Sequence, residues 1–302
     1  MKKEFNADIA GSVSEFETLI KKVLPRNIMY KVLLGKGLEF DGYRNFTQSD
    51  DASLIDWKAT VRSGKTLVKK YIEERDLKFI FIIDMSENMV FGSTEKLKCE
   101  YIAEMAAALS HLILLNGDRI GFVLYNDQGV IVRPPKMGNK QFEIFVHEVT
   151  NPENYKGRSN LKPVINDLIK TLDPSVSMIF LISDFVKVDE SYRKTLQTIA
   201  NLFEVAAIVV RDPLDLTMPE INKEIVIQDP ETEEKILINP KIAKKIYEKN
   251  SKEQLNNLKQ MFKDNNIDFA EFITNQRFTL GLAEFLKTRI IGGRIVKKQN
   301  VY

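Results

Sequence analysis

The chain is poor in histidine, cysteine and tryptophan, with two, one and one in 302 residues. A single cysteine, Cys99, excludes an internal disulfide framework and any all-cysteine metal site. Two histidines leave no basis for a His-rich zinc centre. A lone thiol suits a reducing, cytoplasmic compartment. Excess charge of either sign is also missing: 44 Lys+Arg against 42 Asp+Glu gives +2. That balance offers no electrostatic case for nucleic acid or an acidic membrane surface. No run approaches 18 apolar residues, so no membrane span is expected. The most apolar helical stretch, YIAEMAAALSHLILL, contains Glu104 and His111 and is too short. The opening MKKEFNADIAGSVSEF has no apolar h-region and does not read as a signal peptide. There is no Walker A string, and Gly35-Lys36-Gly37 has no G-x-G-x-x-G continuation.

Apolar residues, by contrast, reach 44%, enough for a sizeable core. Residues 8–24 carry Val13, Phe16, Leu19, Ile20, Val23 and Leu24 at helical spacing, and Pro25 ends the segment. A small mixed module is expected up to residue 76: a strand at 28–33, a short helix near 54–61 and a strand at 66–72. From residue 77 the pattern alternates strand and helix. Strands are expected at 78–83, 119–126, 177–183, 204–210 and 267–273, with a short strand at 129–133 as an antiparallel edge. A hairpin is expected over 222–239, and Lys-rich 240–265 reads as a helix. The chain therefore divides into 1–76, an N-terminal helix with a mixed module, and 77–302. The fold class of the latter is α/β, a doubly wound, mostly parallel sheet with helices on both faces. Five of its strands, including 267–272, are expected to be parallel and central.

Ligands of such sheets bind beyond the carboxyl ends of the strands. There the first core strand ends in Asp84-Met85-Ser86-Glu87-Asn88, whose alternate residues can face one way. Ser159 and Asn160 follow Gly157-Arg158 in another loop, and Asp184 follows the strand LIS. Asp84, Ser86, Asn88, Ser159 and Asp184 all offer oxygen, the donor that Mg²⁺ takes. The same residues also suit plain roles, as helix caps and turn formers.

The segment FIIDMSENM resembles the first motif, D-x-S-x-S, of von Willebrand factor type A domains. GKGLEFDGYRNFTQSDDASLIDWKATVRSGKTLVKKYIEERD resembles the signature of the domain of unknown function 58 family, which precedes an A-type domain. Glu39-Phe40, Ile55-Asp56-Trp57 and the D-x-S string occur in the family's order. The resemblance implies a metal-ion-dependent adhesion site: Ser159 matches the family's Thr and Asp184 its final Asp. Asn88 stands in place of the second Ser, and Asn160 where the family has an acid. The implied cofactor is Mg²⁺, or Mn²⁺ in its place. The implied function is non-catalytic protein binding, in which a partner's carboxylate completes the metal's coordination. The implied partner is a MoxR-type AAA+ ATPase, assisted in chaperone-like assembly or maturation.

Arg44, Asp50, Asp51 and Asp56 form a second candidate partner surface, while Trp57 reads as a core anchor between the modules. The alternative function is a metal-dependent phosphatase-like hydrolase with Asp84 as nucleophile. Such enzymes carry a second acid two residues on, where this chain has Ser86.

Overall fold

The structure, a computed structural model, describes residues 5–23, 38–47, 55–73, 77–228 and 234–291. The expected strand at 28–33, the turn at 35–37, Asp50, Asp51 and Pro230 lie outside these residues.

Helix α1 (Ile9–Val23) realises the amphipathic segment, with Phe16 and Ile20 buried. Lys21 and Lys22 occupy its last turn, where the partial negative charge of the helix end favours them. Strands β1 (Leu38–Asn45) and β2 (Leu67–Glu73) pair antiparallel, with α2 (Trp57–Ser63) between them in sequence. Asp56 caps α2 by accepting the backbone N–H groups of Lys58 and Ala59 at 3.0 and 3.1 Å. The expectation for Trp57 is corrected: it opens α2 and is 66% exposed. No residue of that helix is buried, so the indole has no core to enter.

The larger unit runs β3 (Lys78–Asp84), α3 (Lys98–Leu115), β4 (Arg119–Tyr125), β5 (Val130–Lys136), α4 (Asn139–Thr150), α5 (Leu161–Thr171), β6 (Met178–Ser183), α6 (Arg193–Leu202), β7 (Val205–Arg211), α7 (Pro213–Leu216), β8 (Ile225–Gln228), β9 (Lys235–Ile238), α8 (Pro240–Asp264), β10 (Asp268–Ile273) and α9 (Phe278–Ile291). Six strands form one sheet in the order β10-β7-β6-β3-β4-β5. All neighbours are parallel except β4 and β5, so β5 is the antiparallel edge the sequence suggests. Strand β10 is a correction: it forms the opposite edge, not part of the centre. It pairs with β7 alone, and its Asp268 and Glu271 are ion-paired to Arg289 and Lys259. Charges of this kind protect an exposed strand edge.

Alternation along the strands sorts the core into two layers. Phe79, Phe81 and Ile83 face a layer with Phe16, Ile20, Leu109, Phe145 and Leu282. Ile80 and Ile82 face the other, with Ile165, Ile199 and Phe262. Helix α1, grouped by sequence with residues 1–76, thus adds its apolar face to the core of the larger unit, against α3 and α9. Sandwiched between sheet and helices, α3 is buried along nearly its whole length. No described helix is long and apolar enough to cross a membrane.

Candidate functional site

Taken in chain order, the six strands lie 3-2-1-4-5-6, and the order reverses between β3 and β6. At such a switch point the connections diverge, and a crevice opens at the carboxyl ends. Asp84 ends β3 and Ser183 ends β6. Their register pairs Ile83 with Ile182, which sets Ser183 beside Asp84 and Asp184 one residue beyond.

Asp84 is fully buried. Its Oδ2 accepts the hydroxyls of Ser159 at 2.7 Å and Ser183 at 2.8 Å, and its Oδ1 accepts the Ser86 N–H at 2.9 Å. Burial, and then the charge of Asp184, push its carboxyl above the usual carboxylate range, while those three hydrogen bonds pull the other way. Ser86 is also fully buried, and its Oγ has no hydrogen-bond partner among the described residues. It leads a 3₁₀ turn, Glu87–Val90, that carries Asn88.

The Ser159 loop is pinned by backbone contacts: Glu87 N–H donates to Gly157 O at 3.0 Å, and Lys156 N–H to Met85 O at 3.0 Å. Gly157 has φ +65°, and a Cβ there would stand 2.1 Å from Asp127 Oδ1, so any other residue would be strained and would displace Asp127. Asn160, the N-cap residue of α5, makes no side-chain capping bond.

Asp184 is saturated. Its Oδ2 accepts Asn88 Nδ2 at 2.5 Å and the ammonium of Lys98 at 2.7 Å, and its Oδ1 accepts the Val186 N–H at 3.1 Å. Phe185, directly after it, holds φ +53°. That left-handed conformation is costly for a bulky residue; the ring is held by burial against Phe262, centroids 5.3 Å apart. Lys98 itself is fully buried and also reaches Asp215 Oδ2 at 3.2 Å. Burial opposes its charge, but Asp184 and Asp215 outweigh burial and hold the ammonium above its ordinary value.

The structure brings the five predicted residues to the same end of the sheet in two hydrogen-bonded groups: Asp84 with Ser86 and Ser159, and Asp184 with Asn88. In kind, Asp84, Ser86, Asn88 and Ser159 fit a hard cation, and the unpartnered Ser86 hydroxyl is the donor such an ion would use. Asp184 fits less well, because Lys98 already neutralises it. Sequence reasoning missed Lys98, Ser183 and Asp215. Lys98 did leave a signal: a lysine in the first turn of a helix opposes the partial positive charge there. In the second candidate surface, Asp56 is spent on its cap and accepts the Tyr43 hydroxyl at 3.1 Å. Arg44 is exposed on β1, and its guanidinium donates to Asn45 O at 3.4 Å.

A family model described as "Protein of unknown function DUF58" matches residues 42–257. The chain belongs to this family. Curated relatives include Uncharacterized protein Rv1480 of Mycobacterium tuberculosis (strain ATCC 25618 / H37Rv) and Uncharacterized protein Mb1516 of Mycobacterium bovis (strain ATCC BAA-935 / AF2122/97). Each is 28% identical over 199 residues, covering 66% of this chain. The match spans 62% of the length of those relatives. Among solved structures, the conserved hypothetical protein BatB from Bacteroides thetaiotaomicron aligns with TM-score 0.47 and 13% identity, over 72% of this chain and 99% of that one. The SpRpn10 VWA domain aligns with TM-score 0.42 and 11% identity, over 73% and 99%. At these scores the fold is established by the strand order itself. In this DUF58 chain an apolar cleft of about 530 Å³ adjoins the polar cluster, bordered by Asn88, Asp215, Leu214, Met218, Val226 and Ile236.

Proposed function

We propose that the chain is a non-catalytic protein-binding module whose contact face is the carboxyl end of the sheet. The observation that carries this reading is the fully buried Ser86 Oγ, unpartnered among the described residues, in the residue whose N–H donates to the buried Asp84 and whose turn carries Asn88 at the border of an apolar cleft. Unsatisfied buried hydroxyls cost about 1–3 kcal/mol, and such defects concentrate where a ligand completes them. Mg²⁺, or Mn²⁺, would be held by Asp84, Ser86, Asn88 and Ser159, with Asp184 behind them. When bound it supplies a positive charge that an acidic side chain of a partner protein can meet. The family resemblance makes a MoxR-type AAA+ ATPase the partner of choice, in a chaperone-like assembly or maturation role within a reducing cytoplasm. Cys99, buried on α3, suits that compartment.

The hydrolase reading is the weaker one. Asp84 is fully buried, both of its oxygens already accept hydrogen bonds, and Ser86 cannot act as the second acid.

The test is capture by the immobilised full chain of a purified MoxR-type ATPase from the same cell. Retention in Mg²⁺, release by EDTA and loss in Asp84→Ala are expected. Retention indifferent to both EDTA and Asp84→Ala would remove the metal from the reading. Absence of retention under every condition would remove this partner.

A further inference from the structure

Lys98 lies in the first turn of α3 and is fully buried, yet its ammonium sits 2.7 Å from Asp184 Oδ2 and 3.2 Å from Asp215 Oδ2. Asp184 opens the loop after β6 and Asp215 lies in α7, the short helix after β7, so one cation ties two segments beyond the strand ends to α3. Each carboxylate also accepts further hydrogen bonds. Asp215 Oδ2 accepts the Asp212 N–H at 2.9 Å, and Asp184 accepts Asn88 and the Val186 N–H. Phe91 covers the ammonium, its ring centroid 5.8 Å away. A buried carboxylate is costly unless it is paired, hydrogen-bonded or protonated, and for Asp184 and Asp215 the pairing charge belongs to the chain. On the other side of the cluster, among the described residues, Asp84 is ion-paired to no cation and Ser86 Oγ has no hydrogen-bond partner.

We propose that Lys98 is a resident cation that occupies Asp184 and keeps this carboxylate from serving a divalent ion, so that the cluster is a weakened cation site built on Asp84, Ser86, Asn88 and Ser159. This rests on reading the Asp84 cluster as a cation site. The ammonium acts in two ways. It removes the second carboxylate from the donor set, and its own charge repels any ion that enters. The device makes the loops rigid without metal and leaves metal binding to be completed from outside the chain.

Calorimetric titration of the full-length protein with MnCl₂ tests this, comparing wild type with Lys98→Gln, whose amide keeps a donor near Asp184 without the charge. Removing one nearby positive charge is expected to lower the half-saturating Mn²⁺ concentration by at least about tenfold. Melted in EDTA, Lys98→Gln should fall below wild type, because two buried acids lose their counter-charge; Mn²⁺ should restore it. Should Lys98→Gln not fold, Lys98→Gln/Asp215→Asn, which removes one charge of each sign, takes its place and must show the same gain. A half-saturation equal to or weaker than wild type overturns the proposal. Silence in wild type with a gain in the variant supports it and withdraws the metal from the native function. Equal binding in both proteins overturns it while the metal reading stands. Silence in both overturns it together with that reading.

Discussion

At the residue scale, the cluster mixes satisfied and unsatisfied polar groups, and the unsatisfied one marks where function opposes stability. Ser86 Oγ has no partner among the described residues, whereas Asp84 accepts the hydroxyls of Ser159 and Ser183. Ser86→Ala should therefore stabilise the metal-free protein by about 1 kcal/mol, since the orphaned hydroxyl no longer has to be desolvated. For a domain of this size that is a rise in Tm of roughly 2–4 °C in EDTA. The same variant should weaken Mn²⁺ binding. Scanning fluorimetry decides the first part; a fall in Tm of similar size would mean that the hydroxyl has a stabilising partner. Asp84, Ser86, Asn88 and Asp184 were legible as candidates because they end or closely follow the apolar strands β3 and β6, whereas Ser159 follows no strand and lies in the loop between α4 and α5. Lys98 was legible only as an oddity, because nothing local reveals that its four-carbon stem reaches across to Asp184.

At the element scale, the sheet is anchored at its other end as well. Lys78, which opens β3, donates to Asp173 Oδ2 at 2.7 Å and to Ser175 Oγ at 2.6 Å. The Lys78 hydrogen bond, followed by those from the Ser175 N–H and hydroxyl, holds the Asp173 carboxyl well below its ordinary value of 3.8. A carboxyl depressed by folding stabilises the native state above its unfolded pKa, and loses that contribution as pH falls toward its folded pKa. Asp173→Asn should thus melt below wild type at neutral pH, and the gap should narrow as pH falls below about 4. The pair is half-exposed, with 54% of the Asp173 side chain in solvent, so under about 1 kcal/mol is at stake. Urea unfolding at stepped pH measures it; a gap constant over that window would assign the loss to something other than this charge. Elements of strong period were read closely: β3, β4, β6 and β7 are apolar runs buried on both faces. The placement of β10 was misjudged because Phe269, Phe272 and Ile273 look as apolar as a central strand. Edge position depends on which strand pairs with which, and composition does not encode that.

At the scale of the whole molecule, the polar cluster and the apolar cleft share one end of the sheet. The hairpin β8–β9 forms a wall of that cleft and leaves Val226 and Ile236 each 61% exposed, with Leu237 at 63%. Val226 and Leu237 are cross-strand partners, and exposed aliphatic side chains of this kind mark interaction surfaces. Val226→Lys and Ile236→Lys, alone or together, should leave stability within about 0.5 kcal/mol each, as surface changes do. Both should weaken retention of the ATPase. Undiminished retention by the folded double variant would place the partner elsewhere on the molecule.

Sequence by itself determined the α/β class and nearly every element of the larger unit. These follow from hydrophobic periodicity, which is local. Tertiary structure alone decided three further matters. It placed the reversal of strand order between β3 and β6, which makes neighbours of Asp84 and Ser183, 99 residues apart. It exposed Trp57 on a helix with no buried face. It drove Lys98 into the interior against Asp184, 86 residues away. All three depend on long-range packing, in which burial and charge pairing override local preference.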